Sequence, residues 1–170
     1  FNKTFNEKYP EYPKLLNRLS PENIRGEVER TIDEILNSGE KITVSNSQNL
    51  LSSLGLIDDN YFLDTTNSKY VKVILDILNG NKGKNVKISK FIEKLCDEPF
   101  GLQEELVYLI IIVLTYNGET NLKQRGGRTL TASDLEQFFS TGLKKFSEVP
   151  YITLETDFPV EDIIRLFKVL

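Results

Sequence analysis

The side chains able to do chemistry in this 170-residue sequence are few and poorly grouped. There is one cysteine, Cys96, and no histidine. A Ser-His-Asp triad, a Cys-His dyad and imidazole metal ligation are therefore excluded. A single cysteine likewise excludes an intramolecular disulfide and a cysteine-rich zinc site. Cys96 follows Leu95 at the end of an apolar helical stretch with no base to activate it, and reads as a structural thiol. Asp58 and Asp59 adjoin in the run Gly55-Leu56-Ile57-Asp58-Asp59-Asn60-Tyr61, which reads as a turn rather than an acid/base pair. EF-hand spacing is absent. Neither G-x-x-x-x-G-K-[ST] nor G-x-G-x-x-G occurs, so neither glycine-rich phosphate cradle is present. The sequence predicts no catalytic residue, no cofactor and no metal ligand.

What remains is a basic cluster. Lys123, Arg125 and Arg128 surround Gly126-Gly127 and face the single carboxylate of Glu119. Two glycines between short polar-apolar runs predict a hairpin, and cations on its tip could meet a phosphate. The favoured reading is a solvated hairpin whose charges keep its edge from pairing with other chains. Nucleic-acid contact at this cluster is kept as the alternative. Two helices bear on it. The stretch 103–117 holds no Lys or Arg and is apolar from Leu106 to Leu114, so it is expected inside the protein rather than in a groove. The stretch 45–54 opens with Ser45, Asn46, Ser47, Gln48 and Asn49 beside an acidic turn, and reads as a capped helix start. A formal net charge of −4 agrees with weak or absent DNA binding.

The elements that must position these residues follow from periodicity. Ser20-Pro21 opens a helix over 21–37, with Ile24, Val28, Ile32, Ile35 and Leu36 on one stripe and Gly39 beyond it. Lys41 to Val44 is a short strand, and Ser45 with Gln48 is a capping box for a helix bearing Leu50, Leu51 and Leu54. Residues 56–63 read as strand, tight turn, strand. A helix over 68–79 presents Val71, Ile74, Leu75 and Leu78. The polar loop from Asn79 to Asn85 is the best boundary between two halves. Then come a strand at 86–88, a helix over 89–97 capped by Ser89, and a Pro99-Phe100-Gly101 break that sets the angle to the long helix. The hairpin at 119–130 follows, then a short helix from Ser133 with Leu135, Phe138 and Phe139. Tyr151 to Leu154 is a short strand or extended link, and a final helix carries Val160, Ile163, Ile164 and Phe167.

The expected fold is mainly α with small β-hairpins, holding one or two winged-helix-like units. Residues 68–130 have the order helix, helix, helix, wing; residues 21–63 have a smaller version. The expected division is an extended arm at 1–19 with aromatic anchors, halves at 20–80 and 81–140, and a link with C-terminal helix at 141–170. The longest apolar run, Leu106 to Leu114, is far short of the ~20 residues that span a bilayer, so no membrane partner is expected. A chain that starts at Phe1 and lacks Met reads as a piece of a longer, cytoplasmic protein.

Several segments together resemble a known family. They are the helix Asn67-Ser68-Lys69-Tyr70-Val71-Lys72-Val73-Ile74-Leu75-Asp76-Ile77-Leu78 and the run Glu98-Pro99-Phe100-Gly101-Leu102 before an apolar helix and hairpin. With them go Leu130-Thr131-Ala132-Ser133-Asp134-Leu135 and the closing helix of 149–170. Over residues 45–170 this is similar to a region downstream of the ATPase core in large P-loop proteins of bacterial BREX-type phage-defence systems, the PglY and BrxC group. The resemblance implies a parent ATPase acting with other defence proteins, and an accessory role for this piece. It brings no catalytic residue. The expected function is a non-catalytic interaction module whose partners are other domains of the parent chain or other defence proteins.

Overall fold

The computed structural model describes residues 5, 7–13, 21–39 and 41–155. Its architecture is mainly helical with one small antiparallel sheet. At the centre lies α5 (Glu104–Tyr116), with α1 (Pro21–Ser38), α3 (Lys69–Asn79) and α4 (Ile88–Cys96) packed around it. In α5, Leu106, Val107 and every residue from Leu109 to Thr115 are buried, as its all-round apolar sequence requires. Glu104 and Glu105 occupy its first turn, where the helix dipole favours carboxylates. The α1 stripe also behaves as read: Ile24, Val28, Ile32 and Ile35 are buried. Helix α2 (Ser45–Ser53) lies against α1 with Leu50 and Leu51 inward. One cluster of buried side chains runs from Tyr12 through both halves to Ile152.

The sheet has the order β1-β4-β2-β3, with β1 (Val86–Lys87), β2 (Thr120–Lys123), β3 (Thr129–Leu130) and β4 (Tyr151–Leu154). All its pairings are antiparallel. The segment 151–154 is thus an inner strand that joins β1 to the predicted hairpin, not a mere link. Between β3 and β4 the chain makes a 3₁₀ turn (Ala132–Asp134), a short helix α6 (Leu135–Phe138) and a second 3₁₀ turn (Leu143–Glu148). The first of these is locked by a reciprocal cap: Asp134 accepts from the Thr131 N–H at 2.9 Å, and Asp134's own N–H is closed onto Thr131.

Several local expectations are corrected, each because another partner takes the hydrogen bond. Residues 41–44 form no strand, only one bridge from Lys41 to Phe62. The reason is Glu34 on α1, whose Oε1 accepts from the N–H groups of Thr43 (2.6 Å) and Val44 (3.0 Å) and so removes them from any ladder. The capping box at Ser45 is not made: Val44 is the N-cap, and the Gln48 amide donates to the Ile42 carbonyl instead. Residues 56–63 hold one bridge, Ile57 to Leu63, because Asp58 Oδ1 accepts from the N–H groups of Asn60 and Phe62 and widens the turn. Ser89 does not cap α4; Lys87 stands at the N-cap, and the Ile88 N–H goes to the Pro150 carbonyl at 2.9 Å. Ser68, by contrast, caps α3 as expected, accepting from the Val71 N–H while its hydroxyl donates to the Leu54 carbonyl.

The N-terminal segment is not extended where it is described. Phe5, Glu7 and Lys8 are helical, and Tyr9 to Tyr12 close a turn with Pro10 at its second position. The aromatic anchors do hold it down. Tyr12 is buried and donates to Gln103 Oε1 at 3.0 Å, and the Tyr70 hydroxyl donates to the Glu11 carbonyl. The Pro99-Phe100-Gly101 loop both turns the chain and receives this segment. The Pro99 carbonyl accepts from Glu11 N–H at 3.0 Å, and Tyr9 lies directly over Gly101. The cap at Ser20 and the final helix fall outside the described residues.

Candidate functional site

The hairpin of β2 and β3 carries the basic cluster read from sequence. Leu122 pairs with Leu130 and Lys123 with Thr129, and Gln124 N–H reaches the Arg128 carbonyl at 2.8 Å, leaving Arg125, Gly126 and Gly127 as the loop. Both glycines have φ of +92°, which a side chain would resist. The loop is tied to the body where the Arg125 N–H donates to the Glu148 carbonyl at 3.2 Å.

The three cations are not equivalent. Lys123 is half-buried and its ammonium donates to Thr129 Oγ1 across the ladder. The Arg128 guanidinium is exposed and lies 3.9 Å from Asp134. Arg125 is exposed, and its guanidinium has no partner among the described residues. Glu119, counted against this cluster from sequence, lies at the opposite end of β2. Its carboxylate accepts from the buried Thr65 hydroxyl at 2.7 Å. The carboxylate beside the tip is thus that of Asp134 rather than Glu119.

Two further residues join the cluster only through the fold. Lys87 on β1 is level with Tyr151 on β4, and Tyr151 is level with Lys123 on β2. The neighbouring positions Val86, Ile152, Leu122 and Leu130 are all buried. Strand alternation therefore places Lys87, Tyr151, Lys123 and Thr129 in one row on the opposite, outer face of the sheet. Lys87 and Tyr151 are 36 and 28 positions away from Lys123 in the chain, and no spacing rule links them. Their only sequence signal is an outward position in a short strand.

A second surface lies at another corner. Among the described residues the large apolar side chains that are exposed are Val44, Tyr61 and Phe62. All sit on the two stretches joined by the Lys41–Phe62 bridge and by Ile42 N–H to the Tyr61 carbonyl at 2.8 Å. Tyr61 has φ of +66°, a conformation a bulky residue rarely takes. The Lys41 ammonium lies 5.8 Å from the Phe62 ring centre.

The remaining chemical groups are occupied structurally. Burial, then the nearby Glu104 and Glu105 carboxylates, push the Cys96 thiol up to about 11, so it is not a thiolate at neutral pH. Tyr108 stacks on Phe146 with ring centres 4.2 Å apart and donates to Glu104. In α2, Ser47 is buried and Gln48 is spent on Ile42, which leaves Ser45, Asn46 and Asn49 outward. A cleft of about 210 Å³ between α1 and the loop after α6 contains Glu29 and Asp33. Glu29 is held there by Arg25 at 3.4 Å and by the Leu143 N–H at 3.4 Å. Among the described residues no cluster of three or more His, Cys, Asp or Glu side chains is placed to hold a metal, and no helix is long and apolar enough to cross a membrane.

Residues 24–154 match the model of a family described as the 4th domain of a family of unknown function, DUF6079. None of the curated proteins and none of the solved structures compared matches the chain.

Proposed function

The chain belongs to the DUF6079 family, as its 4th domain, and from that premise we propose that it is a non-catalytic, winged-helix-like interaction module of a larger cytoplasmic P-loop ATPase in bacterial phage defence. A unit described as a fourth domain implies companions in the same chain, in keeping with the resemblance to the BREX ATPases. The order α3, β1, α4, α5, β2, β3 supports the winged-helix reading, with β4 inserted between β1 and the hairpin. An interior α5 leaves that unit without a helix to read a groove.

The observation that carries the reading is the exposed corner of Val44, Tyr61 and Phe62. Large apolar side chains gathered on a surface mark a place where another protein docks, and the Asp58 turn holds Tyr61 outward in a strained conformation to build it. The test is association of this chain with the remaining domains of its parent, produced separately. Tyr61→Ser with Phe62→Ser is expected to weaken that association at least about tenfold with an unchanged melting temperature, as removal of aromatic anchors does. Undiminished association would overturn the corner as the contact. A parent chain without G-x-x-x-x-G-K-[ST] upstream would overturn the ATPase assignment.

The second reading is nucleic-acid contact by the hairpin. It is favoured by Arg125, exposed and without a side-chain partner among the described residues. If Arg125→Ala with Arg128→Ala leaves the affinity for duplex DNA unchanged, this reading fails.

A further inference from the structure

We propose that the outer face of the sheet binds single-stranded nucleic acid, a base stacking on Tyr151 while Lys87 and Lys123 hold the flanking phosphates. This rests on the second reading above and goes beyond it. It names the kind of strand and adds two residues that the hairpin does not contain.

The row is Lys87, Tyr151, Lys123, Thr129, one residue from each of four adjacent strands. Neighbouring strands are spaced about 4.8 Å apart, so the two lysines stand about 10 Å from each other with the tyrosine between them. Lys87 is exposed, and neither its ammonium nor the Tyr151 ring has a partner among the described residues. Lys123 is steadied by Thr129, and Arg125 extends the positive strip beyond the end of β2.

No carboxylate stands in the row. Of the nearby acids, Glu148 is engaged with Lys145 at 2.7 Å, Asp134 with the Thr131 N–H and Glu119 with Thr65, while Glu155 lies just past the other end of β4, about 13 Å along the strand from Tyr151. On a chain of net charge −4, this is a local reversal of sign.

An aromatic ring between cations on a sheet suits a strand whose bases can be splayed out, because every base offers a face to stack and the backbone follows the positive charge. A duplex keeps its bases paired, and the helix that would enter its groove is interior here. Charge complementarity thus commits the face to a polyanion, and the aromatic ring commits it to a single strand.

The test is fluorescence anisotropy of the 170-residue chain with a labelled oligo-dT of about 15 nucleotides, and with a duplex of the same length, over a salt series. Oligo-dT is expected to bind more tightly than the duplex. The slope of log affinity on log salt is expected near −2, from three phosphates, met by Lys87, Lys123 and Arg125, at about −0.7 each. Tyr151→Leu is expected to weaken oligo-dT binding about fivefold or more, the loss that one stacked base implies.

Because Tyr151 sits on an inner strand, a second variant, Lys87→Gln with Lys123→Gln, is made at outward positions that leave the core untouched. It is expected to flatten the salt slope while the melting temperature holds. No binding of oligo-dT, or binding that neither variant changes, overturns the proposal. Oligo-dT binding lost in Arg125→Ala with Arg128→Ala but kept in both sheet variants also overturns it, and leaves the hairpin reading standing. Binding of neither strand form sinks both.

Discussion

Glu34 shows how one side chain can organise two helices. It projects from α1, is nearly buried, and gathers the N–H groups that precede α2. Burial pushes its carboxyl up, but the N–H groups of Thr43 and Val44, with the hydroxyls of Ser47 and Thr43, outweigh burial and hold it below the usual glutamate range. A pKa lower in the folded than in the unfolded state gives stability that is complete above the ordinary value of about 4.3. That stability is lost as pH falls through the lower folded value. Glu34→Gln is therefore expected to lower stability at neutral pH by about 1–3 kcal/mol and to shrink the difference between neutral and acid conditions. Urea midpoints of both proteins at neutral and acid pH check this. Gly101 is the other decisive residue. Its φ is +66°, and an added Cβ would lie 2.4 Å from Tyr9 Cδ1. Gly101→Ala should cost about 1–3 kcal/mol and expose the Tyr9–Tyr12 turn to protease. Adding Tyr9→Ala should recover the part due to the clash and leave the part due to backbone strain, which a double-mutant cycle separates.

At the scale of elements, α5 and the sheet divide the work. From Leu106 to Thr115, half-buried Tyr108 apart, α5 is enclosed by helices and β2, so these side chains contribute to stability rather than to recognition. Ile111→Ala is expected to cost about 2–5 kcal/mol through lost burial and a residual cavity. Tyr108→Phe, at a half-buried position on the same helix, should cost only about 0.5–1.5 kcal/mol for its bond to Glu104. Denaturant melts of the two variants rank them, and equal losses would contradict the enclosed placement of α5. The sheet has the reverse character, with Val86, Leu122, Leu130 and Ile152 inward and a polar row outward. Its outer face can be altered with little effect on folding, which is what a binding face on a stable body requires.

At the scale of the whole molecule, the N-terminal segment acts as a clasp. Tyr12 bonds Gln103 at the start of α5, and Tyr70 on α3 bonds the Glu11 carbonyl, so one short turn joins elements 91 and 59 positions away in the chain. Tyr12→Phe with Tyr70→Phe removes both hydroxyls while keeping the rings. The expected loss is about 1–3 kcal/mol in total, with faster amide exchange in residues 9–12 as the checking measurement. The single core also explains why the chain unites α3, α4, α5 and the sheet with an additional helical pair: α1 packs on α2 and α5 alike, so neither half buries its apolar stripe alone.

Periodicity in the sequence was enough to determined where most helices lie and which faces they bury. The stripe of α1, the Ser68 cap of α3, the interior nature of α5 and the Gly126-Gly127 loop are all local consequences of residue type, since propensity and apolar spacing act over a few residues. What only the tertiary structure decided are the partners of exposed or half-polar groups. Glu34 cancelled a strand by taking the N–H groups of Thr43 and Val44, the Ile42 carbonyl drew the Gln48 amide away from a capping box, and Pro150 displaced Ser89 as the partner at the start of α4. The hairpin was legible, but the row that extends it was not. Lys87 and Tyr151 meet Lys123 because β4 inserts between β1 and β2, and strand order is a long-range choice settled by the packing of the core rather than by any local signal.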